Sequence, residues 1–215
     1  MSGTQYVART PSLLATAREA QQSVIAAAHH APRQEFIERL ESEGWRYFSC
    51  GCYSDVYTKD GAPFVVKVGM QGKAKLDGYL PYAQWLCDGQ KHGRDDPRAT
   101  NPAFPRVYGV TLFDACWFVA VIERLEVLRD KYSEKMWITA RSLEQRVRGP
   151  SSSDTAEFVE NLNRFAETLP KCLLDAADMI RDVFVKDWSS DIQPANILRR
   201  GDQLVIADPL EVALP

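Results

Sequence analysis

Close to the end of the chain, Asp191-Ile192-Gln193-Pro194-Ala195-Asn196-Ile197-Leu198 sets an Asp and an Asn five residues apart in a proline-bearing loop that runs into apolar residues. Arg200-Gly201-Asp202 then has the composition of a tight turn, and Leu204-Val205-Ile206-Ala207 leads to Asp208. Two short strands around such a turn bring their outer ends together, so Asn196 and Asp208 are expected at one edge, with Asp191 just upstream.

The rest of the chain supplies enough apolar material to hold that edge in place. Of its 215 residues 45% are hydrophobic, which suits one globular domain of two packed lobes. The formal net charge of -3 and the interspersed signs give no electrostatic argument for nucleic acid or membrane as the main partner. No apolar run approaches the roughly 20 residues of a membrane span, and a cytoplasmic protein is expected. The five cysteines, Cys50, Cys52, Cys87, Cys116 and Cys172, contain no CxxC pair, which argues against a disulfide framework or a zinc site. The pattern leaves the oligomeric state open.

Thr10-Pro11 reads as a helix start, with an apolar stripe of Leu13, Leu14, Ala17, Ala20, Val24 and Ile25 behind it. A second helix is predicted over 33–43, with Phe36, Ile37 and Leu40 on one face and Gly44 as its stop. These helices are expected either to cover the adjoining sheet or to form a partner-binding arm. Short β-like runs at 45–48, 55–58 and 64–68, with a hairpin signal at Lys59-Asp60-Gly61, predict an antiparallel meander. A helix over about 75–87 and a polar loop to about 102 come next. Strands at 106–112 and 117–122 complete a five-stranded sheet. After Glu123 the character turns helical, with segments at 155–167 and from Thr168-Pro170 onward, and Gly149-Pro150-Ser151-Ser152-Ser153 is a linker.

The segment from Asp191 to Asp208 resembles the catalytic loop and metal-binding Asp of protein kinases. Upstream, Ser49-Cys50-Gly51-Cys52-Tyr53-Ser54-Asp55-Val56-Tyr57 before Phe64-Val65-Val66-Lys67-Val68 resembles the glycine-rich hairpin and third strand of that family. Phe118-Val119-Ala120-Val121-Ile122-Glu123-Arg124-Leu125-Glu126 resembles its adenine-binding strand and hinge. The resemblance covers about 45–210 and implies an α+β, two-lobed protein-kinase-like fold. Residues 1–44 would be helices packed on the domain, 45–123 an N-lobe with a five-stranded antiparallel sheet, and 124–215 a minimal, truncated helical C-lobe.

It also implies ATP and Mg2+ as cofactors. Asp191 would orient or deprotonate the acceptor hydroxyl, and Asn196 and Asp208 would hold magnesium. Gly51 and Ser54 would lie at the phosphates, Val56 would cap the adenine, and Lys67 would reach the α- and β-phosphates with Asp77 as its acidic partner. Backbone groups of Glu123 and Leu125 would contact the base.

Within that family, Gly51-Cys52-Tyr53-Ser54, Val66-Lys67-Val68-Gly69, Pro105-Arg106-Val107-Tyr108 and Asp208-Pro209 make the chain similar to the early serine/threonine kinase domain of T7-like bacteriophages. This implies phosphoryl transfer from ATP to Ser or Thr of host proteins in the bacterial cytoplasm. The pattern departs from the family where Ser189-Ser190 replaces His-Arg, Gln193 replaces the usual Lys, and only residues 209–215 come after Asp208. Those departures sustain a second expectation: a pseudokinase-like binding module that inhibits a host protein without phosphoryl transfer. A small-molecule kinase of the aminoglycoside type is the third, and it would need acceptor-binding helices after Asp208.

Overall fold

Runs of Val, Ile, Phe and Tyr separated by polar turns fold into five strands: β1 (Arg46–Cys50), β2 (Ser54–Thr58), β3 (Phe64–Met70), β4 (Val107–Phe113) and β5 (Trp117–Glu123). In the computed structural model, which describes residues 19, 22–24, 26, 32–51, 53–70, 78–113 and 116–211, they form one sheet in the order β1-β2-β3-β5-β4. Every neighbouring pair is antiparallel. Helices dominate the chain after β5, which makes this an α+β protein. It divides into two compact units, Met1–Lys73 with Val107–Arg124 and Ala74–Arg106 with Leu125–Pro215.

The first unit is organised by the two faces of the sheet. Side chains alternate along each strand, so Tyr57, Phe64, Val66, Val68, Val119 and Val121 all point to one side. Phe36, Ile37 and Leu40 of α1 (Arg33–Ser42) pack there with Trp45, Phe113 and Trp117 in one buried cluster. Arg33 on α1 also pairs with Asp55 on the same face. Most of the predicted first helix lies outside the described residues. Residues 19, 22–24 and 26 are helical, and Val24 is buried in this cluster.

The second unit contains α2 (Tyr79–Lys91), α3 (Pro97–Thr100), α4 (Glu134–Arg148), α5 (Ala156–Ala166) and α6 (Lys171–Phe184). Helix α4 packs on both α5 and α6, burying Leu143 and Val147 of its own face together with Leu162, Leu173 and Ile180. Two short two-stranded sheets complete the unit: the hairpin of β7 (Ile197–Arg200) with β8 (Gln203–Ile206), and β6 (Ser189–Ser190) with β9 (Leu210–Glu211), which flank that hairpin in the chain. Among the described residues no helix is long and apolar enough to cross a membrane.

Several predicted boundaries shift for local reasons. The helix predicted over 75–87 spans Tyr79–Lys91 within the described residues, and 71–77 lie outside them. The polar loop after it holds the short α3, because Asp96 accepts the Arg98 N–H at 2.8 Å and Pro97 fills the first turn. Helix α4, which the general helical character after Glu123 did not resolve, starts where Ser133 Oγ accepts the Met136 N–H and stops at Gly149. Gly149 has φ +82°, a conformation only glycine adopts without strain.

Helix α5 begins at Thr155, whose Oγ1 accepts the Phe158 N–H at 3.2 Å. Leu162 is its one buried residue among those described, so this cap is a large share of what holds its first turn. Thr155→Ala is expected to destabilise that turn by about 1 kcal/mol, read as faster amide hydrogen exchange at Phe158 and Val159 with α4 unchanged.

Candidate functional site

The hairpin of β7 and β8 carries the constellation that the sequence pattern predicts. Ile197 pairs with Ile206 and Arg200 with Gln203, so the ends of the two strands meet at Asn196 and Ala207. There the Ala207 N–H donates to the Asn196 carbonyl at 2.8 Å. On the other side of Asp208, the Pro209 carbonyl accepts the Asp191 N–H at 2.7 Å. Both chain neighbours of Asp208 are therefore tied to the other two members of the predicted set. The Ser190–Leu210 pairing of β6 and β9 extends the same attachment by one residue on each side.

Side chains join the set more tightly. Asn196 Nδ2 donates to the Asp191 backbone carbonyl at 2.8 Å and to Asp191 Oδ2 at 2.9 Å. That orientation commits the amide nitrogen to Asp191 and makes Oδ1 the atom suited to a hard cation. Gln193 Nε2 lies 3.1 and 3.2 Å from the two Asp191 carboxylate oxygens. Burial raises the Asp191 pKa above the usual carboxylate value, and the negative charge of Glu211 raises it further. The hydrogen bonds from Gln193 and Asn196 oppose the shift, and the charge of Asp208 adds to it.

An Asn oxygen and an Asp carboxylate at one edge fit Mg2+, which takes one or two protein oxygens and fills the rest of its octahedron with phosphate and water. Among the described residues no group of three His, Cys, Asp or Glu side chains gathers as a metal site of another kind.

In the first unit the register sorts the predicted nucleotide-binding residues by face. Ser54 pairs with Gly69, Val56 with Lys67, and Lys67 with Ala120, so Ser54, Val56 and Lys67 share the sheet face opposite α1. Phe118, Ala120 and Ile122 stand on the same face. Lys67 is buried, at 7% exposure, which is unusual for a lysine on a sheet. Glu123 ends β5 opposite Phe64 and is also buried, and the following Arg124 N–H donates to the Pro63 carbonyl. Leu125, half-buried, belongs to the second unit. Asp77, predicted as the partner of Lys67, lies outside the described residues.

Gly51 sits in the turn between β1 and β2, where its N–H donates to the Ser54 carbonyl at 2.8 Å. This amide closes the turn. A Cβ at Gly51 would meet only Ser54, at 3.7 Å and 4.0 Å, so the fold has no steric need for glycine there. Gly51→Ala is accordingly expected to leave stability within about 0.5 kcal/mol of the parent. If the turn lies against a nucleotide, the same substitution weakens ATP binding, and paired denaturation and nucleotide titrations separate the two effects.

Sequence reasoning missed the β6–β9 pairing and the Gln193 contact with Asp191. A two-residue strand has no periodicity to detect. No family model matches the chain, and no curated protein matches it.

Proposed function

We propose that the chain is a small kinase that transfers the terminal phosphoryl group of ATP to a hydroxyl acceptor, a Ser or Thr of a host protein in the phage-type reading. The observation that carries this reading is the bonding of Asn196 to Asp191 and of both to the chain neighbours of Asp208. Asn196 Nδ2 bridges the carbonyl and carboxylate of Asp191, while the Ala207 and Pro209 backbone bonds hold Asp208 beside them. Asp191 orients the acceptor hydroxyl and takes its proton at the carboxylate, a role that a raised pKa favours, since it makes the group a better base. Asn196 Oδ1 and the Asp208 carboxylate would hold Mg2+, which would supply charge neutralisation at the phosphates. In the first unit, Lys67 contributes a buried cation on the face that also carries Ser54 and Val56, and this supports its role at the phosphates and theirs at the nucleotide. The two-lobed protein-kinase-like fold belongs to this proposal.

One observation favours the binding-module alternative. Both Asp191 oxygens are contacted by the Gln193 amide and one of them also by Asn196, and a base so covered abstracts a proton less readily. The test is incubation of the protein with γ-labelled ATP and Mg2+, alone and with a bacterial lysate. Label transferred to Ser or Thr supports the kinase. Mg2+-dependent ATP binding without any transfer supports the binding module, and no ATP binding removes the kinase reading.

A further inference from the structure

Helix α2 meets the segment that carries Asp208 at two points. Gly78, the residue before the helix, stands so close to β9 that a Cβ there would lie 2.7 Å from the Leu210 carbonyl carbon and oxygen. One turn further on, the Tyr82 hydroxyl donates to the Ile206 carbonyl at 2.8 Å. Residues four apart share a helix face, so both contacts come from the same side of α2. They grip the chain two residues before Asp208 and two residues after it.

The spacing accounts for the size of the side chain at position 82. Four residues of helix rise about 6 Å, while four residues of extended chain span up to about 13 Å. Gly78 touches backbone directly at one end, and a long side chain reaches across the remainder at the other. Tyr82 cannot pivot away from this role. It is fully buried, with Trp85 stacked on it at a centroid distance of 6.2 Å and Phe104 and Phe184 edge-on at 6.4 Å. Ile206 is held from its other polar group as well, since its N–H donates to the Ala103 carbonyl at 2.9 Å.

We propose that Tyr82 is a positioning residue for Asp208, its phenol and the Gly78 contact making helix α2 the template that sets where the metal-binding carboxylate stands. The inference rests on the reading of Asp208 as a Mg2+ ligand. It makes the metal affinity of the site depend on the seating of α2, although no residue of that helix is itself a ligand.

Tyr82→Phe keeps the ring and its packing and removes only the hydroxyl. ATP binding is titrated by isothermal calorimetry at fixed Mg2+ levels to find the half-saturating metal concentration. That concentration is expected to rise about tenfold, as when a partner orienting a metal ligand is removed. Gly78→Ala, pressing on Leu210 from the same helix face, is expected to move it in the same direction. Ser142→Ala is the control. It removes a comparable buried bond, Ser142 Oγ to the Leu162 carbonyl at 3.3 Å between α4 and α5, and is expected to lower the unfolding midpoint without changing the metal dependence. A Tyr82→Phe protein that loses stability like the control but keeps the parent's half-saturating Mg2+ overturns this inference alone. A parent protein whose ATP binding does not respond to Mg2+ overturns the metal-ligand reading and the inference with it.

Discussion

Replacing Asp191 by Ala is expected to reduce phosphate transfer from ATP by about 10²- to 10⁴-fold, the range for loss of a positioned general base. Asp208→Asn is expected to bring transfer to background by removing the anionic ligand of the metal. Both substitutions leave the other bonds of the site in place: Asp191 N–H to Pro209, Ala207 N–H to Asn196, and the Asn196 Nδ2 bond to the Asp191 carbonyl. What Asp191→Ala removes is the carboxylate contact with Asn196 at 2.9 Å and the two with Gln193. The folded structure should survive, so circular dichroism and the thermal midpoint report on fold while initial rates report on chemistry. The variants also differ in where they act. Asp191→Ala lowers the rate at saturating nucleotide with ATP affinity near the parent's, whereas Asp208→Asn also raises the Mg2+ requirement for binding. Transfer that persists unchanged in both variants would place the chemistry elsewhere.

How much of this site can be read from sequence depends on the distance over which each contact forms. The hairpin that ends at Asn196 and Ala207 follows from local signals, a turn at Arg200-Gly201-Asp202 between two apolar runs, and Ile197 pairs with Ile206 accordingly. The strands of the large sheet are legible for the same reason, because short runs of β-branched and aromatic residues between polar turns mark them. Such runs do not say which strands become neighbours: β5 pairs with β4 as a local hairpin, but it reaches β3 across 59 residues of chain at Phe64–Glu123 and 47 at Met70–Trp117. Helix α4 was within reach: Ser133 is a good cap, and Met136, Ala140, Leu143 and Val147 have helical spacing.

The substitution of Gln193 for a cation was visible in the pattern, but its amide resting on both Asp191 oxygens was not, since that depends on side-chain rotamers in an irregular loop. At Gly51 the sequence marks a turn but not its closure, in which the amide bonds to the Ser54 carbonyl.

Gly69→Ala carries the largest expected effect on stability. A Cβ at this position would fall 2.1 Å from two ring carbons of Phe118 and 2.9 Å from a third, far inside van der Waals contact. Gly69 and Phe118 are direct cross-strand partners on β3 and β5, and the ring lies across the glycine backbone on the face that carries Lys67. Phe118 is fully buried, so it has no open space into which to turn. Overpacking of this kind costs about 1–3 kcal/mol, and the expected reading is a lower denaturant midpoint with an unchanged slope.

Phe118→Leu alone is also destabilising, because it loses buried area in the middle of the sheet. In the double variant the smaller side chain makes room for the methyl group, so the two losses should fall short of additive by about 1 kcal/mol or more. Lys67 is the next residue along on that face, and a sheet that bends to relieve the clash moves the lysine with it. Gly69→Ala is therefore expected to weaken ATP binding beyond its effect on the folded fraction, and Phe118→Leu in the same chain should restore part of both. Strictly additive losses would mean that the ring is not what the glycine accommodates.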